Sequence, residues 1–223
     1  MLVIDATIFK GQNLVVAIGI DASGRKLVLG LPQGATENAT VVGGLFGELL
    51  ERGLDFTTPR LYLVDGSKAI RAAIRNYAGD AAFVQRCQVH QIRNVVEHVA
   101  EADRPALKYR MRVAYGAIEA ADARNLLYQL HDELVQSNPS AASSLMEGLE
   151  ECLTVAELRL PPKLRQSFSS TNCIESGFSM VENICQQVKP WQGSDHRLRG
   201  LLRPCCSRSL AGTGFPATGI CRC

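Results

Sequence analysis

Three short apolar runs at the start of the chain constrain its fold most strongly: LVIDATIF (2–9), LVVAIGID (14–21) and KLVLGL (26–31). Each run is rich in β-branched residues, and the short polar stretches GQN and ASGRK separate one run from the next. Apolar runs joined in this way are typical of adjacent antiparallel strands. The sequence therefore predicts a β-rich first third that begins with a three-stranded meander over residues 2–31.

After the third run, the spacing of apolar residues changes from a strand period to a helical one. Residues 36–53 have helical spacing, with Thr36 or Asn38 as the candidate N-cap and Gly53 at the end. A strand, an amphipathic helix and another strand are predicted next, over residues 61–66, 67–79 and 82–90. This order predicts an α/β fold in which helices flank a mixed sheet.

From Gln91 to about Leu158 the pattern is helical and contains no strand signal. Residues 119–158 carry one basic and eight acidic side chains, which indicates solvated helix faces. The Pro161-Pro162 pair predicts a boundary, and a further helix is predicted over 169–188. The chain thus divides into a first part of the core, an all-α insertion, a helix that completes the core and an irregular Cys-rich tail, over residues 1–90, 91–166, 167–200 and 201–223.

Composition excludes several classes of protein. Hydrophobic residues make up 46% of the chain and charged residues 21%, which is typical of globular rather than disordered or fibrous proteins. No stretch approaches the roughly 20 apolar residues of a membrane span, and the N-terminus lacks the features of an export signal. Four of the eight cysteines lie in the last 19 residues, so no disulfide framework is expected. We expect a cytoplasmic protein without a membrane partner.

Three carboxylates stand out by their predicted positions. Asp5 lies within the first strand, Asp65 at the carboxyl end of the fourth, and Glu175 in the first turn of the late helix. If strands one and four are neighbours, Asp5 and Asp65 lie side by side, and a helix docked at that edge adds Glu175. Three oxygen ligands of this kind bind Mg²⁺ or Mn²⁺, and a two-metal site supports in-line phosphoryl transfer. Taken singly, an Asp-Gly pair after a strand, as at Asp65, is usually a turn, and a glutamate in the first turn of a helix, as at Glu175, usually complements the helix dipole.

Four blocks of the sequence resemble, in order, those of the Mutator-type transposases of bacterial insertion sequences. They are LVIDATIFK, LYLVDGSKAIRAAI, VQRCQVHQIRNVVEHV and STNCIESGFSMVEN, and VKPWQGSDHRLRG (188–200) follows them. The resemblance implies an RNase H-like fold with a DDE triad at Asp5, Asp65 and Glu175. It also implies metal-dependent DNA cleavage and strand transfer with Mg²⁺ or Mn²⁺. The family's all-helical insertion would account for the 110 residues between Asp65 and Glu175.

Cys87 and His90 form the C-x-x-H motif that the family carries after its second aspartate. A structural role, a role in arranging DNA near the active site and a zinc site are the alternatives. A zinc site would need two more ligands, and no second pair lies nearby in the sequence. A free cysteine on a buried strand would also be ordinary.

The implied partner is double-stranded DNA, at the element ends and at the target, where the protein would associate with the nucleoid. Candidate phosphate contacts are the basic residues around the second and third blocks: Lys68, Arg71, Arg75, Arg86 and Arg93. The first three would form one basic helix face, for which a merely solvated surface is the alternative. Trp191 is a candidate for stacking on a flipped base, or else a core residue. The resemblance also implies a homo-oligomer when active.

The chain departs from the family pattern at both ends. Relatives carry a DNA-binding region ahead of the first catalytic strand, whereas Asp5 is the fifth residue here, and Ala6 stands where a glycine is usual. The tail after Gly200 looks like translation in a shifted reading frame. The alternative function is therefore an inactive truncated remnant that only binds DNA or a full-length transposase. A plain RNase H-like nuclease fits the triad but not the C-x-x-H motif or the insertion.

Overall fold

In the computed structural model, residues 1–9, 12–32 and 38–172 are described, and they form a mixed α/β protein. Five strands make one sheet in the order β3-β2-β1-β4-β5. The strands are β1 (Leu2–Phe9), β2 (Gln12–Ile20), β3 (Lys26–Gly30), β4 (Arg60–Val64) and β5 (Ala82–Arg86). The α/β class predicted from the sequence is confirmed.

Eight α-helices lie within the described part of the chain. They are α1 (Ala39–Glu51), α2 (Lys68–Ala78), α3 (Gln88–Glu97), α4 (Arg104–Tyr115), α5 (Ala120–Ser137), α6 (Pro139–Met146), α7 (Thr154–Glu157) and α8 (Pro162–Phe168). None of these helices has the length and apolar character needed to cross a membrane. The chain divides into two compact units: the first contains residues 1–60 and 67–82, and the second residues 61–66 and 83–171.

The first unit begins with the predicted meander. β1 and β2 pair antiparallel from Leu2 opposite Gly19 to Phe9 opposite Gln12, and β2 pairs antiparallel with β3. The Asp21 carboxylate closes the second turn, because its Oδ1 accepts the backbone N–H of Ser23 and of Arg25 at 2.9 and 3.0 Å. Consecutive apolar residues of both β1 and β2 are buried, as expected of strands covered on both faces.

Helices α1 and α2 complete the first unit. Asn38 is the N-cap of α1, since its side chain accepts the Thr40 N–H at 3.0 Å. Gly53 follows the helix with φ +90°, a conformation that favours glycine. Phe46 stacks on Phe56 with ring centroids 5.4 Å apart, and Tyr77 of α2 lies within 5.5 Å of both rings. The two helices are thus joined by a three-ring aromatic cluster.

In the second unit, the strand predicted over 82–90 ends at Arg86, which corrects that prediction. Cys87 is the N-cap of α3, and Gln88 is its first residue. The reason is the helical spacing of buried residues that follows, at Gln91, Ile92, Val95 and Val96. The C-x-x-H motif therefore spans the start of a helix rather than lying on a strand.

The rest of the second unit is helical, as predicted. Met111 of α4, Leu127 of α5 and Leu145 of α6 are fully buried in one apolar core that these helices share with α3. The Pro161-Pro162 pair lies at the start of α8. A proline is tolerated there because the N–H that it lacks would have no partner within the helix. The division of the chain at residues 90, 166 and 200 stays a prediction.

Candidate functional site

Asp5 is a buried carboxylate in the middle of β1. Only 5% of its surface is exposed, and its neighbours Val3 and Ile4 are completely buried. Its Oδ1 accepts the backbone N–H of Ala6 at 2.8 Å, and Val16 lies opposite it on β2. A buried carboxylate in an apolar strand is unfavourable unless it is compensated by polar or cationic partners. Buried carboxylates are rare in proteins, which makes Asp5 the foremost candidate for a functional residue in the described part of the first unit.

Asp65 directly follows β4 in the second unit and is half-buried. The next residue, Gly66, has φ +109°. A Cβ atom at this position would lie only 2.5 Å from Nε and 2.8 Å from Cζ of Arg86. Two independent constraints, the backbone conformation and the close guanidinium, therefore require glycine after Asp65.

Arg86 lies behind this Asp-Gly pair and is buried, with 3% of its surface exposed. Its Nη1 donates a hydrogen bond to the Glu147 carbonyl oxygen. On the other side, a Cβ at Gly148 would lie 2.6 Å from the same nitrogen. The guanidinium is thus held between two glycines, and a contact between Arg86 and a DNA phosphate would require it to leave this position.

The remaining basic candidates are at or near the surface. Lys68, Arg75 and Arg93 are exposed, and Arg71 is half-buried. In α2, the residues Ile70 and Ile74 are buried on one side, which leaves Lys68, Arg71 and Arg75 on the other. A basic face on this helix therefore exists, whereas its contact with DNA stays a prediction.

Cys87 and His90 contact Thr171, 84 residues away in sequence from Cys87. The Cys87 Sγ accepts the backbone N–H of Thr171 at 3.4 Å and its hydroxyl at 3.6 Å. The same hydroxyl lies 3.5 Å from Nδ1 of His90. No cluster of three or more histidine, cysteine or acidic side chains suited to a metal ion occurs in residues 1–9, 12–32 and 38–172. Among the described residues, Thr171 contacts both members of the pair.

Burial and hydrogen bonding act in opposite directions on the Cys87 thiol. Burial raises its pKa, but hydrogen bonds from His90 and from the Thr171 amide together lower it more, so the pKa of Cys87 lies below its usual value. The helix start at Gln88 acts in the same sense, because helix N-termini favour negative charge. This cysteine carries more thiolate character than one buried among apolar side chains.

Three glutamines around the motif were not singled out from the sequence. Gln85 is completely buried; its Nε2 donates to the Cys152 carbonyl, and its Oε1 accepts the Val155 N–H, both at 2.9 Å. Gln88 donates to the same Cys152 oxygen at 2.9 Å, and Gln91 donates to the Ser144 oxygen at 2.6 Å. Their regular spacing of three residues in QRCQVHQ was the signal that could have pointed to them.

Two predicted site residues, Glu175 and Trp191, lie outside the described residues. Of the described ones, five lie in the second unit: Asp65, Arg86, Cys87, His90 and Arg93. That unit brings Arg86 against Gly66, and it joins Cys87 and His90 through Thr171.

Comparison with known proteins gives a consistent result. A family model described as transposase, Mutator family, matches residues 1–188. The transposase for insertion sequence element IS1201 of Lactobacillus helveticus is 29% identical over 182 residues, which cover 82% of this chain and 47% of that protein. The transposase for insertion sequence element ISRM3 of Rhizobium meliloti is 31% identical over 201 residues, covering 87% and 48% respectively. The chain thus spans about half the length of these curated relatives.

Proposed function

Because the chain belongs to the Mutator family of transposases, we propose that it carries out the catalytic steps of DNA transposition for an insertion sequence. The reaction is metal-dependent cleavage of DNA followed by strand transfer, in an RNase H-like fold. The family match carries this proposal, since it runs over residues 1–188 and so includes the positions of all three predicted catalytic carboxylates.

Asp5, Asp65 and Glu175 are the residues proposed to hold Mg²⁺ or Mn²⁺. Carboxylate oxygens are the ligands that these cations prefer, so the chemistry of the donor set fits the metal. Asp5 is buried in the sheet, where carboxylates are rare, and a bound cation would favour its charged form. In the sheet, β4 is the neighbour of β1, and this is the strand order that the sequence analysis required.

When bound, the metal supplies the positive charge that stabilises an in-line displacement at phosphorus. The chain's own residues bind the metal and orient the DNA. The three carboxylates provide oxygen ligands, while Lys68, Arg71 and Arg75 neutralise phosphates and set the position of the duplex without selecting its sequence. We propose double-stranded DNA as the substrate and a homo-oligomer as the active form.

The catalytic proposal is tested by strand transfer with a labelled duplex that carries the ends of the element encoding this chain. We expect products in Mg²⁺ or Mn²⁺ with the wild type and none with Asp65→Asn. Asp80→Asn is the matched control, because Asp80 is an exposed carboxylate in the same part of the sequence. Equal activity of the Asp65 and Asp80 variants would refute the assignment of Asp65.

The DNA-binding proposal is tested by the salt dependence of affinity for a duplex. Arg75→Ala should reduce the slope of log K against log salt by about 0.9 if one phosphate contact is lost. Arg25→Ala is the control, because Arg25 is also exposed but is ion-paired with Asp21 at 2.7 Å. Equal slopes for the wild type and both variants would show that the basic face of α2 is only a solvated surface.

A further inference from the structure

Cys87 is in contact with two distant parts of the second unit at once. Its backbone N–H donates to the Val64 carbonyl oxygen at 2.7 Å, and Val64 is the residue before Asp65. Its Sγ accepts two hydrogen bonds from Thr171, which is four residues before Glu175 in the sequence. One residue therefore links the end of β4, directly before the second proposed metal ligand, with Thr171.

Residues 169–171 are attached to the start of α3 at a second point. The Gln88 backbone N–H donates to the Ser169 carbonyl oxygen at 2.9 Å. Ser170 and Thr171 are buried, with 9% and 1% of their surface exposed. Residues 169–171 are thus held by backbone and side-chain bonds together, and they are not a loosely attached surface loop.

His90 completes the arrangement from the next turn of the helix. Its Nδ1 lies 3.5 Å from the Thr171 hydroxyl, whose other neighbour is the Cys87 sulfur. A hydroxyl both donates and accepts, so Thr171 can donate to the sulfur while it accepts from a protonated Nδ1. The spacing of three residues brings the two partners of Thr171 to one helix face.

We propose that Cys87 and His90 are positioning residues: with Thr171 they fix the start of α3, and the Cys87 N–H in turn holds Val64 and so sets the position of Asp65 at the end of β4. This proposal rests on the proposed function, since it assigns a purpose to the motif only if Asp65 is a metal ligand. Residues that orient metal ligands from outside commonly affect metal affinity about 10–100-fold, although they never touch the ion.

The alternative chemical roles of Cys87 fit its surroundings less well. A nucleophile must meet its substrate, and this residue is only 1% exposed. A zinc site needs further ligands, yet the described neighbours of the pair supply a threonine hydroxyl instead. A phosphate contact would require Cys87 to reach the surface, where its side chain does not lie.

The test compares two threonines of the second unit, Thr171 buried and Thr154 half-buried, that each donate a side-chain hydrogen bond. Thr171→Val removes the hydroxyl between Cys87 and His90, and Thr171→Ser keeps it. Thr154→Val is the matched control, because the Thr154 hydroxyl donates to the Val84 carbonyl oxygen at 2.6 Å and takes no part in the motif. Each full-length variant is titrated with Mn²⁺ by electron paramagnetic resonance, and its stability is measured by urea unfolding.

We expect Thr171→Val to weaken Mn²⁺ binding at least about tenfold, with Thr171→Ser close to the wild type. Thr154→Val should lower stability without changing Mn²⁺ affinity. Equal Mn²⁺ affinities of the Thr171→Val and Thr154→Val variants would overturn the proposal, as would stoichiometric zinc that is lost from Cys87→Ser. The Asp65→Asn variant distinguishes failure of the proposed function from failure of the positioning role alone. If Asp65→Asn binds Mn²⁺ as the wild type does, the proposed function fails, and the positioning role fails with it.

Discussion

Replacing Gly66 by alanine is expected to destabilise the protein by about 2.5–6 kcal/mol, for two reasons that can be separated. The first is the backbone: φ is +109° at this residue, and holding a side-chain-bearing residue in such a conformation costs about 1–3 kcal/mol. The second is the guanidinium of Arg86, which lies 2.5 Å from the position of the new Cβ.

Arg86 cannot move aside cheaply, because it is buried and Gly148 confines it on its other side. Displacing it breaks the charged hydrogen bond from Nη1 to the Glu147 oxygen. A bond of this kind contributes about 1.5–3 kcal/mol. The combined loss is a large part of the total stability of a typical domain, about 5–15 kcal/mol.

Gly53→Ala is the matched control for the backbone contribution. Gly53 has φ +90°, but a Cβ there would meet no atom within 4 Å, so this variant should lose only about 1–3 kcal/mol. Urea unfolding followed by far-ultraviolet circular dichroism measures both variants. If Gly66→Ala costs no more than Gly53→Ala, the close packing of Arg86 against Gly66 is refuted.

A double-mutant cycle provides a second check on the same contact. In an Arg86→Ala background the clash is absent, so Gly66→Ala should cost about 1.5–3 kcal/mol less than it does in the wild type. Additive losses would show that the two residues do not interact. They would leave only the backbone conformation of Gly66 to explain its sensitivity.

Three other substitutions in the second unit compare the stability contributions of buried and exposed polar groups, and urea unfolding measures each of them. Gln85→Leu leaves the Val155 N–H without its partner and removes one of the two hydrogen bonds to the Cys152 oxygen, so it should cost about 1–3 kcal/mol; a loss under about 1 kcal/mol contradicts this. Burial raises the pKa of Cys152 from about 9 to about 12, so native stability should fall as the pH rises from 9 through 12. Between about pH 8 and about pH 10.5 the wild type should lose about 2 kcal/mol more than Cys152→Ala, and equal losses would refute this. Arg110→Ala removes an exposed ion pair with Glu133 and should cost less than about 1 kcal/mol, less still in high salt, so a loss above about 2 kcal/mol would be contrary to expectation.

The elements of the first unit could be predicted from the sequence because their signals are local. Polar turns separate the strands of the meander, and the Asn38 side chain caps α1 by a bond to an N–H only two residues away. Asp65 could be recognised for the same reason, as a carboxylate at the end of an apolar strand. These interactions need only neighbouring residues, so the order of residues contains them.

The surroundings of the candidate site were decided by tertiary structure. Nothing in the sequence distinguishes Arg86 from the exposed arginines near it, and its burial depends on glycines that lie 20 and 62 residues away. The end of β5 at Arg86 was missed because a short apolar run fits a strand and a helix start equally well. The partner of Cys87 and His90, 84 residues beyond Cys87, depends likewise on the path of the whole helical segment. Contacts of this kind form only when packing brings distant segments together, so no local pattern can encode them.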